Sequence, residues 1–300
     1  MGLQIGQGSF ACVKRSVHRK TNHVIALKIY EKKNLQQESA SLALHREIYV
    51  LANLRHPNIM RLYEVIDSRT HVHLVMELCL GKNLYHSVKK RKPLQRFSEP
   101  EAAHIFRQII SAVAYMHELN VVHRDLKLDN ILINEQNGNE IKIIDFGFAT
   151  GCGKDEKLTM QCGTPQYMCP DLAKRQQYHG QAADVWACGV ILYILVVGRL
   201  PFFAEYEGDL FRKIQNAKYK FPDDNDEEGR AVSQGVKNLI IRIFNKDASK
   251  RATAAQVLED PWLKRHCDVE ATLHDPVTGA AEKPEHPPAE QAEKEATEKS

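Results

Sequence analysis

Two short polar stretches carry the residues best suited to do chemistry. The first reads His-Arg-Asp-Leu-Lys-Leu-Asp-Asn over 123–130, and the second, Asp-Phe-Gly, begins at Asp145. Together they supply a possible proton acceptor in Asp125, a cation in Lys127, and oxygen donors for a metal ion in Asn130 and Asp145. Phosphoryl transfer needs this set, because the protein has mainly to position the nucleophile and neutralise phosphate charge. The two stretches therefore point to phosphoryl transfer.

A glycine-rich turn near the start of the chain could cover a phosphate. Gly6 and Gly8 let the backbone approach phosphate oxygens with no Cβ in the way. In a dinucleotide-binding site a helix follows such a turn. Here 13–17 continue instead with the apolar–polar alternation of a strand. The sequence therefore predicts a β-hairpin flap, and a plain hairpin without a phosphate is the alternative.

A further strand and a helix place a second cation near this flap. Val24, Ala26 and Lys28 share one face of a strand over 24–30, because side chains alternate along it. Residues 41–54 have helical spacing, and Glu47 lies 19 positions after Lys28. An ion pair with Glu47 would hold the ammonium toward a phosphate. A solvated strand lysine is the alternative for Lys28 taken alone.

Together these motifs resemble the eukaryotic protein kinase family, from about Ile5 to His266. The resemblance implies an α+β, bilobal protein kinase fold. A small antiparallel-sheet N-lobe with one main helix would span 1–80, and a larger, mainly helical C-lobe would span 81–266. The composition becomes acidic and free of aromatic residues toward the end, which predicts a disordered tail over 267–300.

The resemblance also implies a role for each site residue. Asp125 would accept or orient the proton of the substrate hydroxyl, and Lys127 would steady the transferring group. Lys28, oriented by Glu47, would complete the catalytic set. Asn130 and Asp145 would hold Mg²⁺ or Mn²⁺. ATP would lie between the flap and strand residues on one side and one C-lobe residue on the other, with its base at the hinge between the lobes (Met76, Glu77 and Cys79). The implied ATP-binding residues are Ile5, Gly6, Gly8, Ser9, Phe10, Val13, Ala26, Lys28, Met76, Glu77, Cys79 and Leu132.

The segment Cys162–Tyr167 resembles the peptide-docking end of an activation segment. By that resemblance Thr164 would hydrogen-bond near Asp125 and Lys127, a pattern typical of Ser/Thr kinases. Small-molecule kinases normally lack such a segment. The implied substrates are therefore proteins that carry serine or threonine hydroxyls.

A phosphorylation site is predicted at Thr159. A phosphate there adds about two negative charges that a guanidinium such as Arg124 can bind in a bidentate manner. Many relatives place the activating threonine one position later, where this chain has Met160. The alternative is that Thr159 is an ordinary exposed loop residue. An upstream activating kinase is the implied partner if the site is used.

Three features depart from the family pattern. The third flap glycine is Ala11, a modest change. The usual Ala-Pro-Glu ends in Asp171, one methylene short of the glutamate that the family pairs with the arginine matched by Arg251. Asn83 stands where relatives that prefer basic peptides carry an acid, and Asp129 is one acid left near the groove. A preference for basic residues upstream of the phosphosite is therefore in doubt.

Composition limits the remaining choices. Three hundred residues with 43% hydrophobic content suit one bilobal domain or two small ones. Seven cysteines without zinc spacing predict reduced thiols in an intracellular protein that is cytoplasmic, with the nucleus as a further location. Basic residues are spread without aromatic interleaving, so nucleic acid is not an expected partner. The sequence shows no signal peptide or transmembrane segment, so a membrane is not expected either. We expect a monomeric catalytic domain, and the start just before the flap suggests a truncated gene product.

Two functions of different classes remain. The first is an active Ser/Thr kinase of the calcium/calmodulin-dependent group, most like its energy-sensing and microtubule-affinity branch, while 8–11 lean toward polo-like kinases. The second is a pseudokinase that serves as a binding scaffold. Pseudokinases usually lose the equivalents of Lys28, Asp125 or Asp145, and this chain keeps all three. The sequence therefore favours the active enzyme.

Overall fold

A computed structural model describes residues 2–7, 11–223 and 231–273. In its N-terminal part a five-stranded antiparallel sheet has the order β1-β2-β3-β5-β4. The strands are β1 (Gln4–Gln7), β2 (Ala11–Val17), β3 (Val24–Glu31), β4 (Leu62–Asp67) and β5 (His71–Glu77), and helix α1 (Glu38–Asn53) lies between β3 and β4. The alternation seen in the sequence over 13–17 and 24–30 thus gives paired strands, as predicted.

The sheet and α1 bring a basic strand residue and an acidic helix residue face to face. Lys28 is in the central strand β3, opposite Val13 on β2 and Leu74 on β5. On α1, Leu44 and Leu51 are buried, and Glu47 lies between them at helical spacing. Residues three and four apart share a helix face, so the face that packs on the sheet also carries Glu47.

The C-terminal part is mainly helical, and short strands flank the two polar stretches singled out in the sequence. Its helices are α2 (Leu84–Lys90), α3 (Glu99–Glu118), α4 (Pro170–Ala173), α5 (Gly180–Val197), α6 (Glu207–Gln215), α7 (Gln234–Ile243), α8 (Ala254–Leu258) and α9 (Pro261–Leu273). Its strands are β6 (Lys82–Asn83), β7 (Val121–Val122), β8 (Ile131–Asn134), β9 (Glu140–Ile143), β10 (Thr150–Gly151), β11 (Lys157–Leu158) and β12 (Tyr178–His179). This arrangement confirms the α+β, two-part fold.

Local sequence signals explain how the central elements begin and turn. Ser98 and Glu101 form a reciprocal capping box at the start of α3. Strands β8 and β9 pair as a hairpin whose tip is 134–139. The catalytic stretch 123–130 lies between β7 and β8, and Asp145 follows β9, so the hairpin sets the two stretches side by side.

Helix α5 is the most buried helix of this part. It begins at Gly180 and has 18 residues, so Asp184 lies in its second turn. By length and composition it could cross a membrane, but 89% of it is buried inside the protein. It ends at Gly198, whose φ of 83° and close approach to the Leu94 carbonyl leave no room for a Cβ.

The predicted boundary at 267 is corrected by the last helix. Helix α9 continues through it to Leu273. The shift follows from the helix itself, because α9 begins at Pro261, a residue suited to a first helical turn, and meets no helix breaker before 274. The rest of the predicted tail, 274–300, lies outside the described residues.

Candidate active site

Lys28 and Glu47 form a short, buried ion pair. The Lys28 Nζ lies 2.7 Å from Glu47 Oε1, and Glu47 is only 3% exposed. Burial by itself lowers the pKa of Lys28, but the negative charge of Glu47, with Tyr30 and Asp145, raises it well above its usual value. The lysine therefore stays an ammonium ion that points into the space between flap and hinge, as the sequence predicts.

A third member of this cluster was missed from the sequence. The Tyr30 hydroxyl donates to Glu47 Oε2 at 2.6 Å. Its ring lies 5.4 Å from the Lys28 ammonium, within cation–π range. The signal was available, because Tyr30 is two positions after Lys28 and thus on the same face of β3.

The catalytic loop brings its predicted residues into one hydrogen-bonded group. The Lys127 ammonium donates to Asp125 Oδ2 at 2.8 Å and to the Thr164 hydroxyl at 3.0 Å. The Thr164 hydroxyl in turn donates to Asp125 Oδ1 at 2.9 Å. Asn130 donates its side-chain amide to the Asp125 carbonyl at 2.9 Å and to Oδ2 at 3.1 Å. The contacts expected of Thr164 by resemblance are therefore present.

A buried carboxylate under the loop fixes its backbone. Asp184, 1% exposed, accepts the backbone N–H of His123 at 2.8 Å and of Arg124 at 2.9 Å. The His117 ring nitrogen lies 3.2 Å from the same carboxylate, a contact without a sequence signal. Burial favours the neutral acid, but these hydrogen bonds and the nearby histidines hold the pKa of Asp184 below its usual value. An ionised carboxylate therefore holds the backbone of the loop in place.

The predicted nucleotide residues line a single cleft of about 820 Å³ between the sheet and the helical part. It also contains both predicted metal ligands, Asn130 and Asp145. Leu51, Met60 and Ile144 line it too and were not foreseen. From the predicted set the cleft includes Ile5, Gly6, Val13, Ala26, Lys28, Met76, Glu77, Cys79 and Leu132. The remaining three, Gly8, Ser9 and Phe10, lie outside the described residues.

A second cavity of about 640 Å³ adjoins the catalytic loop. Thr164, which donates to Asp125, is part of its lining together with Asp129, Lys89 and Arg199. Most of its wall is apolar or aromatic, with Tyr85, Val88, Leu128, Tyr167, Ile194, Leu200 and Phe203. The cavity is thus connected to Asp125 through Thr164.

The activation segment meets Arg124 through a different residue from the one predicted. Arg124 is buried, with its Nε 2.6 Å from the Phe148 carbonyl and its Nη1 3.7 Å from the Met160 sulfur. Thr159 lies one position earlier and is exposed. Delivery of a phosphate from Thr159 to Arg124 therefore needs a shift of the segment by one residue, and that switch stays a prediction.

The shortened acid at Asp171 does not reach its expected partner. Arg251 is 4% exposed and donates to the carbonyls of Asn245 at 3.0 Å and Ala182 at 2.8 Å. Its Nη2 is buried without a hydrogen-bond partner among the described residues, and no ion pair joins it to Asp171 there. The ion pair that the family forms at this position is therefore not made among the described residues, because the side chain of Asp171 is too short to reach Arg251.

Comparisons with known proteins agree with this geometry. The family model described as "Protein kinase domain" matches residues 1–263. The chain is similar to rice CBL-interacting protein kinase 25, with 37% identity over 269 residues that cover 88% of this chain and 51% of the relative. It is also similar to the fission yeast SNF1-like protein kinase ssp2, with 37% identity over 86% of this chain and 43% of the relative.

A third relative is named as a serine/threonine-protein kinase. It is the Arabidopsis CBL-interacting serine/threonine-protein kinase 26, with 37% identity over 89% of this chain and 58% of the relative. The chain thus spans about half the length of the relatives it matches. SNF1-type and CBL-interacting relatives agree with the energy-sensing branch, and the polo-like leaning of 8–11 stays a prediction. The chain therefore belongs to the protein kinase family.

Proposed function

We propose that this chain is a catalytic domain that transfers the γ-phosphate of ATP to serine or threonine hydroxyls of protein substrates in intracellular signalling. The contacts among Asp125, Lys127 and Thr164 carry this proposal, because a carboxylate, a cation and a hydroxyl within hydrogen-bond distance of one another can orient a phosphoryl acceptor. A threonine at position 164 with these contacts is typical of Ser/Thr kinases, and it supports serine and threonine hydroxyls as the acceptors.

The described residues fit ATP and a divalent cation. The cleft combines an apolar slot, made by Val13, Ala26 and Leu132, with the Lys28 ammonium at its inner end. The carboxylate of Asp145 and the amide oxygen of Asn130 suit a hard cation such as Mg²⁺ or Mn²⁺. ATP with its metal ion supplies the phosphoryl group and neutralises part of its charge.

The loop residues divide the remaining work. Asp125 would take a hydrogen bond from the acceptor hydroxyl on a free lone pair, because its two oxygens already hold Thr164, Lys127 and Asn130 on others. Lys127 would offset the charge of the transferring group. Asp184 would keep the loop in place through its bonds to two backbone N–H groups.

The second cavity, in which the acceptor peptide would lie, favours apolar over basic peptide side chains. Asn83 carries no charge, and its amide oxygen caps α2 by accepting the His86 N–H at 3.0 Å. Among the described residues that line the second cavity, Asp129 is the one acidic side chain, and the cations Lys89 and Arg199 lie in the same wall. A degenerate peptide library should therefore show selection for large apolar residues and none for arginine near the phosphosite.

A regulatory setting follows for the same protein. Some relatives are named for interaction with CBL, so a regulatory protein partner is a proposal for this chain too. We also propose an upstream activating kinase, a monomeric domain and a cytoplasmic location, without nucleic acid or membrane as partners. A pseudokinase scaffold is the alternative, and turnover of ATP separates the two.

The test is transfer of labelled phosphate from ATP with Mg²⁺ to a general protein substrate and to the peptide library. Phosphoserine and phosphothreonine should form with the wild-type chain and should be lost with Asp125→Asn. Binding of ATP without transfer by both proteins would favour the scaffold. Equal transfer by both would contradict the role of Asp125.

A further inference from the structure

The carboxylate of Glu47 is held from two sides. Its Oε1 accepts from Lys28 at 2.7 Å, and its Oε2 accepts from the Tyr30 hydroxyl at 2.6 Å. Glu47 and Tyr30 are 3% and 7% exposed, so water supplies little of what the carboxylate needs. A buried charge is costly unless its oxygens are all satisfied. Each of the two oxygens thus depends on one neighbour from β3.

The two donors differ in what they do when a nucleotide binds. The lysine must share its three N–H groups between Glu47 and phosphate oxygens. The tyrosine has one hydroxyl proton, and burial together with the Glu47 charge raises the pKa of Tyr30 well above its usual value, so that proton stays on. Tyr30 therefore keeps the same contact whether or not Lys28 turns toward a phosphate.

The backbone gives this contact a fixed geometry. Lys28 and Tyr30 are two positions apart on β3, paired on both sides with β2 and β5. Glu47 is on α1, and Gln37, the residue that precedes this helix, makes no side-chain cap. The helix is therefore joined to the sheet at this level by two side chains from one rigid strand.

We propose that Tyr30 is a positioning residue for phosphoryl transfer, which fixes Glu47, and with it α1, so that the Lys28 ammonium is aimed at the nucleotide phosphates. This role rests on the proposed kinase activity. Tyr30 does not contact the reacting atoms in this arrangement and acts through Glu47. A tyrosine that merely fills the core, with its hydroxyl satisfied by the nearest acid, is the competing explanation.

The test is Tyr30→Phe, which keeps the ring and removes only the hydroxyl. Tyr193→Phe is the matched control, because the Tyr193 hydroxyl is also buried and donates to the Lys220 carbonyl at 2.6 Å, far from the cleft in the helical part. Hydrogen bonds to charged groups imply that Tyr30→Phe lowers kcat/KM for ATP by about tenfold. The control should change it by less than about twofold.

Dependence on Glu47 separates positioning from packing. In a Glu47→Gln background, Tyr30→Phe should lower kcat/KM for ATP by less than a further factor of about two, because its hydrogen bond to residue 47 is already weakened. A loss no larger than that of Tyr193→Phe, or a full loss on top of Glu47→Gln, would overturn the proposal. Binding of a fluorescent ATP analogue gives a readout without turnover, and Tyr30→Phe should weaken it more than the control does. A wild-type chain without transfer activity would instead count against the proposed function.

Discussion

Replacing Asp171 by glutamate should stabilise the protein. The buried Arg251 donates to two carbonyls, while its Nη2 has no hydrogen-bond partner among the described residues. Burial lowers the pKa of Arg251, and Cys169 and Asp171 offset that only in part, so the guanidinium is under-compensated. One added methylene at 171 extends the carboxylate toward this nitrogen. The change therefore supplies an acceptor to a donor that now has none.

The size of the effect follows from the burial of both groups. An unsatisfied buried donor costs about 1–3 kcal/mol, more when it is charged. Asp171 is itself only half-buried, so water screens part of the new attraction. We therefore expect a gain of about 1 kcal/mol in the free energy of unfolding. For a domain of this size that raises Tm by about 2–4 °C.

The assay is urea unfolding followed by circular dichroism, with calorimetry for Tm, on protein without nucleotide. Asp171→Glu should raise the urea midpoint without changing the slope m. Asp155→Glu is the control, since it makes the same change at an exposed position and should stay within about 0.5 kcal/mol of wild type. Asp171→Asn should destabilise, because it removes the nearby charge. A midpoint for Asp171→Glu equal to or below that of wild type would refute the reasoning.

The remaining predictions concern the site. Lys28→Met should reduce phosphoryl transfer by about 10²–10³-fold with an unchanged circular dichroism spectrum, and more than half of the wild-type activity would contradict its placement. Asp145→Asn should abolish Mg²⁺-dependent ATP binding, whereas Asp125→Asn should abolish transfer and spare ATP affinity; equal loss of binding in both would remove that distinction. Phosphorylation of Thr159 should raise activity, and Thr159→Ala and Arg124→Ala should lose the same increment without adding. Full activity in Thr159→Ala would end this hypothesis.

Much of the site could be read from the sequence because its residues are close along the chain. Asp125, Lys127 and Asn130 lie on one loop, so their contacts follow from local spacing. The hairpin of β8 and β9 then brings Asp145 beside them. The pairing of Lys28 with Glu47 was expected from the strand face, the 19-residue spacing and the resemblance together, and the structure contains it.

What could not be predicted depends on how separate elements meet. The start of α5 at Gly180 has no clear sequence signal, because its first residues lack the apolar pattern of the rest. His117 ends up beside Asp184 only because α3 and α5 pack together. Whether Arg251 finds partners likewise depends on the length of the side chain at 171 and on which backbone carbonyls lie close to the guanidinium. Sequence patterns give the type of an element more readily than the distance between two of them.

Register explains the difference at the activation segment as well. Along an extended segment a shift of one residue exchanges the side chain that faces a partner for its neighbour. In the structure this exchange puts the Met160 sulfur at Arg124, and it leaves Thr159 exposed. Arg124 therefore contacts a neutral sulfur and the Phe148 carbonyl. A phosphate on Thr159 could reach Arg124 only after the segment shifts by one residue, and the paired Thr159→Ala and Arg124→Ala variants test that shift.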